Sequence, residues 1–159
     1  MPTATYTPLA TVTLGSSASS VSFASIPASY RDLILIVAGT NTVSGHLNIR
    51  YNGDTGSNYS RVVMEANAPN GARSFSATES ALFVFVMTTT QGNLVHQVMD
   101  YSATDKHKTS LSRENRSSDQ VSATAGRWAN TAAITSMTAS VDANQMAAGT
   151  TLSLYGVIS

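Results

Sequence analysis

The sequence has no cysteine. That excludes disulfides, zinc–thiolate centres and cysteine nucleophiles, and it leaves the redox compartment open. Charge is scarce as well. Charged side chains make up 11% of the 159 residues and cancel to a formal net charge of zero, against about 25% charged residues in an average soluble domain. No basic face is implied, so neither nucleic acid nor an anionic membrane is an expected partner. The longest apolar run, Leu33 to Gly39, is far short of the ~20 residues that span a bilayer as a helix. The opening MPTATYTPLA has no cationic start and no apolar core segment, so it does not read as a signal peptide, and the chain reads as made in the cytoplasm. Helical patterning is also missing: Ser, Thr, Gly and β-branched residues dominate, and Ala-Leu-Glu-Lys segments of 3.6-residue period are absent.

In place of charge there are hydroxyls. Ser and Thr together supply roughly a quarter of the chain, well above average usage. A nearly uncharged, hydroxyl-rich surface repels other proteins weakly, which suits a chain that lives within an assembly. The length fits one domain, large enough to bury roughly 70% of its unfolded surface and to fold without metal or disulfide.

Strand signals recur along the whole chain. Leu9 to Leu14 is a Thr/Val run stopped by Gly15; Val21, Phe23 and Ile26 follow. Asp32 to Gly39, DLILIVAG, reads as a central strand buried on both faces. Leu47, Ile49 and Tyr51 alternate with His46, Asn48 and Arg50, and Val62 and Met64 alternate with Arg61, Val63 and Glu65. Ala81 to Met87 is the most hydrophobic stretch. It is followed through TTTQG by Asn93 to Tyr101, and the pair reads as a hairpin with Gly92 in the turn. Lys108 to Ser112 and Gln120 to Ala125 are weak polar strands, and Ile134 to Val141 and Leu152 to Ile158 close the chain. Asp142 to Ala148 is the one candidate for a helical turn. Asp105 to Asp119, the most charged region, reads as a long exposed hairpin or loop. These roughly eight to eleven strands, separated by Gly/Asn/Ser turns, predict an all-β fold: a single-domain antiparallel β-sandwich of jelly-roll type.

The densest cluster of special residues is YNGDTGSNYS, residues 51–60. A phosphate loop requires a helix after the glycines, and the following segment alternates as a strand. A calcium loop requires more acidic ligands than Asn52, Asp54 and Asn58 provide. Asn58-Tyr59-Ser60 and Asn115-Arg116-Ser117 match the glycosylation sequon without a secretory signal to expose them. The turn reading requires nothing more. Asn52-Gly53 accepts positive φ at both positions, and Gly56 and Asn58 are expected to supply further left-handed positions, so Asn52, Gly53, Asp54, Gly56 and Asn58 form a structural turn. His46, His96 and His107 have no nucleophile elbow near them, nothing in the spacing of His96, Asp100 and His107 forces a metal site, and the nine acids form no evident pair for acid–base work. No catalytic, cofactor-binding or metal-binding residues are therefore assigned. Tyr101, His107 and Trp128 are the candidates for an interface or a glycan contact; Trp128, the one tryptophan, otherwise anchors the core.

Three stretches carry a resemblance: Phe23-x-x-Ile26-Pro27-x-x-Tyr30-x-Asp32-Leu33, the turn Asn52-Gly53-Asp54-x-Gly56-x-Asn58-Tyr59, and the closing Ser153-Leu154-Tyr155-Gly156. In this order, over nearly the whole chain, they resemble a β-sandwich domain of tailed-bacteriophage structural proteins, both free-standing and as modules of tail fibres. The resemblance implies a virion component without catalysis and supplies no catalytic residues. The expectation is a capsid decoration or cement protein, a homotrimer bound to the major capsid protein, with residues 1–8 as an extended arm and 9–159 as the sandwich. The alternative is a tail-fibre or baseplate component, or a receptor-binding module for cell-surface glycans; an enzyme is the weakest reading.

Overall fold

Period-two patterning produces strands nearly everywhere. The computed structural model describes residues 4–67, 71–117 and 120–158. In chain order the strands are β1 (Tyr6–Thr13), β2 (Ser20–Phe23), β3 (Asp32–Gly39), β4 (Gly45–Tyr51), β5 (Tyr59–Asn67), β6 (Gly71–Glu79), β7 (Leu82–Met87), β8 (Gly92–Met99), β9 (Lys108–Arg116), β10 (Gln120–Trp128), β11 (Met137–Val141) and β12 (Thr151–Val157). They form two antiparallel sheets, an eight-stranded one in the order β1-β12-β3-β8-β9-β10-β5-β6 and a four-stranded one in the order β2-β11-β4-β7. The predicted all-β, single-domain, jelly-roll-like sandwich is the observed fold.

The core lies between the small sheet and the β1-β12-β3-β8 half of the large one. Leu33, Leu35 and Val37 of β3, Leu94 and Val98 of β8, and Leu152 and Leu154 of β12 point inward against Leu47 and Ile49 of β4, Phe85 and Met87 of β7, and Met137 and Ala139 of β11. Burying side chains of this size contributes roughly 1.5–3 kcal/mol each, the main favourable term in a chain without cross-links.

In the other half of the large sheet the alternation is largely inverted, although Tyr59, Val63 and Trp128 are buried apolar residues of the inner face. Arg61 and Glu65 of β5, Lys108, Ser110, Ser112 and Glu114 of β9, and Gln120, Ser122 and Thr124 of β10 are buried on the inner face. The outer face of the same strands is apolar. Val62 and Met64 of β5, Leu111 of β9 and Val121 of β10 are each more than half exposed, at 53%, 65%, 54% and 58%. Register aligns this outer face into rows. Ile36, Val95, Arg113, Ala123 and Met64 are successive cross-strand partners, and so are Ile34, Gln97, Leu111, Ala125 and Val62. An exposed face with apolar side chains on each of five strands, broken by Gln97 and Arg113, is larger than the scattered single hydrophobes of an ordinary surface.

Several local expectations change. β3 is not buried on both faces: Ile36 is 37% exposed on the outer side, because no layer covers the large sheet there. β7 and β8 do not form a hairpin, since they belong to different sheets, and Gly92 is the first residue of β8 rather than a turn residue. A side chain at Gly92 would run into the Phe85 ring, so this glycine lets β8 approach the core. The segment 142–148 has no helical turn; Met146 instead bridges Ala18 and Asn41 as an isolated ladder partner and is fully buried. Most of the expected exposed loop 105–119 is β9, a strand paired on both sides by β8 and β10; residues 118–119 lie outside the described residues. Of the expected arm 1–8, Tyr6 to Pro8 are already paired to β12, and residues 1–3 lie outside the described residues.

Candidate functional site

The turn at 51–60 forms as its composition requires, and it is more tightly knit than a simple turn. Asn52 (φ 52°) and Gly53 (φ 68°) are left-handed, and the Asp54 amide donates to the Tyr51 carbonyl at 3.0 Å. The turn does not join paired strands, because β4 and β5 belong to different sheets. Gly56 and Asn58 are not left-handed, contrary to expectation. Gly56 is needed because a Cβ would meet the Asn58 side-chain nitrogen at 2.8 Å. Asp54 is the hub: its carboxylate accepts from the Gly56 amide (2.8 Å), the Asn58 side chain (2.9 Å) and the Trp128 indole (2.7 Å). These donors, the indole first, hold the Asp54 pKa below its ordinary value. The Asn52 side chain bonds the backbone of Ala133, Thr135 and Ser136. With Asp54 engaged by protein donors, the loop has the geometry of a clasp between sheets.

Tyr101 and Trp128 do not present aromatic rings to a ligand, which corrects their assignment as glycan contacts. Both are buried. The Tyr101 hydroxyl donates to the Pro27 carbonyl, and the Trp128 ring packs with Tyr51 and Tyr59 at centroid distances of 5.5 and 6.4 Å. Each aromatic ring meets the core while its polar end finds a partner, the usual arrangement for a buried Tyr or Trp. His107 is exposed and stands apart from them.

The inverted half of the large sheet creates the concave polar site that sequence reading did not find. Beyond the edge strand β7, the large sheet curls, and an open groove of about 610 Å³ results. One wall is the outer face of β4 and β7, with His46, Asn48, Arg50 and Phe83; the other carries Arg61, Glu65 and Glu79 from the inner face of β5 and β6. Arg61 binds Glu79 in a two-pronged pair, Nη2 to Oε1 at 2.8 Å and Nε to Oε2 at 3.1 Å. The guanidinium lies 4.3 Å from the centre of the Phe83 ring, a favourable cation–π distance. A bulge in β7 places Phe83 opposite Asn48 after Phe85 has paired with Leu47, so Val84 and Phe85 both turn inward while Phe83 stays on the groove wall. At one end of the groove His46 Nδ1 lies 2.7 Å from Asp142 Oδ2. Arg50 bonds the Ser80 carbonyl through Nε at 3.2 Å and makes no ion pair among the described residues.

Deeper in, the polar strands form a hydrogen-bonded network. Glu114 accepts from Ser122 (2.5 Å) and from the Gln120 amide (3.1 Å), which also reaches Glu65 at 3.5 Å. Burial pushes the Glu114 pKa up to about 7. His96, fully buried, bridges the Tyr51 hydroxyl (2.8 Å) and the Ser112 hydroxyl (2.7 Å); burial lowers its pKa to about 4, so the imidazole is neutral at physiological pH. Among the described residues no three His, Cys, Asp or Glu side chains converge as metal ligands.

The sequence matches no family model and no curated protein. Among solved structures it is similar to galectin LEC-6 of Caenorhabditis elegans, with 9% identity, a TM-score of 0.37, and coverage of 94% of this chain and 96% of that one. It is also similar to a mutant of alginate lyase Aly36B in complex with alginate tetrasaccharide, with 9% identity, a TM-score of 0.30, and coverage of 93% and 80%. At such scores the likeness carries nothing beyond a β-sandwich.

Proposed function

We propose that this protein is a non-enzymatic structural component of a tailed-bacteriophage virion, a capsid decoration protein that docks on the major capsid protein and assembles as a homotrimer. The observation that supports the reading is the outward apolar face of β3, β8, β9, β10 and β5. Val62, Met64, Leu111 and Val121 are each more than half exposed there, with Arg113 and Arg127 as the charges nearby. Exposed apolar surface on this scale favours covering by another protein, and a firm contact would take up about 1,200–2,000 Å² in total. The sequence resemblance supplies the virion context, and the near-absence of surface charge suits close packing.

The test is a pair of charge insertions, Met64→Glu and Leu111→Glu, in the full chain. The expected outcome is unchanged thermal unfolding of the isolated protein and loss of retention on particles. Retention equal to wild type would overturn the docking face. Copy number in purified particles separates the head reading from the tail-fibre or baseplate alternative: a number comparable with that of the major capsid protein supports decoration, and one near that of tail proteins supports the alternative.

A further inference from the structure

We propose that the groove between β4–β7 and β5–β6 binds an oligosaccharide bearing a carboxylate. This site lies on the opposite side of β5 from the apolar docking face and does not depend on where in a particle the protein sits.

Shape comes first. An open groove of about 610 Å³ falls within the roughly 300–1,000 Å³ of small-ligand sites, and its open ends suit a chain of sugar rings more than an enclosed single molecule. Chemistry narrows the class. A sugar presents apolar C–H faces and a dense set of hydroxyls. The groove offers planar polar side chains, Asn48, Glu79 and Arg61, around a Phe83 ring that is packed by the Arg61 guanidinium at 4.3 Å and the His46 ring at 4.5 Å. Glu79 is fixed in place by the two-pronged Arg61 pair and remains 32% exposed, so it is a preorganised acceptor for hydroxyl protons. The His46–Asp142 pair is a second one at the far end. Groups already held in place lose little freedom on binding.

Charge decides between acidic and neutral sugars. Of the other ionic groups on these walls, Arg61 pairs with Glu79 and His46 with Asp142, while Glu65 and Arg116 both meet the Gln120 side chain. Arg50 is held through Nε by a backbone carbonyl, which orients the guanidinium without neutralising it. A planar fork with an unpaired positive charge fits a carboxylate in a bidentate manner. The acids Glu65, Glu79 and Asp142 on the same walls would repel a polyphosphate or a nucleic acid. A ligand with few negative charges and many hydroxyls satisfies both halves of this arrangement.

The experiment is calorimetric titration of the full chain with an acidic trimer of two galactose residues and one galacturonic acid, which carries a single carboxylate, and with the neutral galactose trimer. The wild type is expected to prefer the acidic trimer by tenfold or more. Arg50→Gln is expected to abolish the preference by bringing affinity for the acidic trimer down to that for the neutral one. Arg50→Lys is expected to lose most of the preference, because a point charge cannot reproduce the fork. The inference fails if both trimers bind wild type equally, if either Arg50 variant stays as selective as wild type, or if neither trimer binds at about 10 mM, where even a ~1 mM affinity would register. None of these failures touches the docking reading, which stands or falls with Met64→Glu and Leu111→Glu.

Discussion

Within the eight-stranded sheet, one half behaves as a core sheet and the other does not. A single inward row makes the contrast concrete: Val12, Leu152, Val37 and Leu94 are followed, strand by strand, by Glu114, Ser122 and Glu65. The first four lie in the half that packs on the small sheet. The last three lie where that sheet is running out, at its edge strand β7, and where the groove begins. The row beside it changes one strand earlier, from Leu35 of β3 to His96 of β8, then Ser112 and Thr124, and ends on the buried Val63 of β5. Burial alone therefore does not make a face apolar. What lies opposite decides it: where a second sheet is present the inward side chains are hydrocarbon, and where the sheet extends past its cover they become a hydrogen-bonded network with the hydrocarbon outside.

The largest expected difference between the halves comes from truncating matched leucines. Leu35→Ala, in the covered half and fully buried, is expected to cost about 2–5 kcal/mol. Leu111→Ala, outward in the other half and 54% exposed, is expected to stay within about 0.5 kcal/mol. Urea unfolding of both variants measures this, and equal losses would break the contrast. Next comes the boundary residue. The His96 pKa is depressed to about 4 in the folded protein from an ordinary value near 6.5, so its neutral form contributes stability that is fully present above pH ~6.5 and lost as pH falls towards 4. The loss is on the order of 3 kcal/mol, and a pH series of unfolding curves on wild type and His96→Gln should show it in the former only.

Glu114 runs the other way. Its folded pKa is raised to about 7 from an ordinary value near 4.3, so its contribution is fully present below pH ~4.3 and lost as pH rises through 7. Glu114→Gln, which keeps a neutral side chain of the same shape, is expected to stabilise the protein by about 1–2 kcal/mol at pH 8 and to change little at pH 5. A variant equally stable at both pH values relative to wild type would remove Glu114 from the argument. The smallest effect concerns the clasp. Asp54→Asn weakens the bonds from Trp128 and Gly56 and is expected to cost about 1 kcal/mol, visible as a shift in tryptophan emission together with a small fall in melting temperature.

The covered half was legible in the sequence because its rule is simple. DLILIVAG reads at once as a central strand, and Leu47, Ile49 and Tyr51 announce an inward face that the structure bears out. The inverted half was harder, since periodicity reveals that two faces differ but not which one is inside. In β5 the alternation of Val62 and Met64 with Arg61, Val63 and Glu65 was visible; Arg61, Val63 and Glu65 are the inner set. β9 was only half visible for the same reason: Lys108 to Ser112 read as a weak polar strand, but its inward residues are Lys108, Ser110, Ser112 and Glu114, so charge pointed to a loop over 105–119. β6 carries no apolar alternation that would single it out. The turn at Asn52-Gly53 was readable from its dipeptide, whereas its hub, the pairing of Asp54 with Trp128 across 74 residues, follows only from the fold. Likewise the groove brings together Arg50, Phe83 and Glu79 from three strands, and no spacing along the chain foretells that meeting.

The ladder between β1 and β12 has a mechanical consequence. Tyr6 pairs with Val157 and Thr13 with Thr151, so the outer ends of both strands emerge at the same end of the ladder. Tension drawing residues 6 and 157 apart would open this pair one rung at a time, like a zipper, instead of shearing all its rungs together. Force applied at these two residues would peel β1 from the sheet edge and leave β3, β8 and the outward apolar face in place.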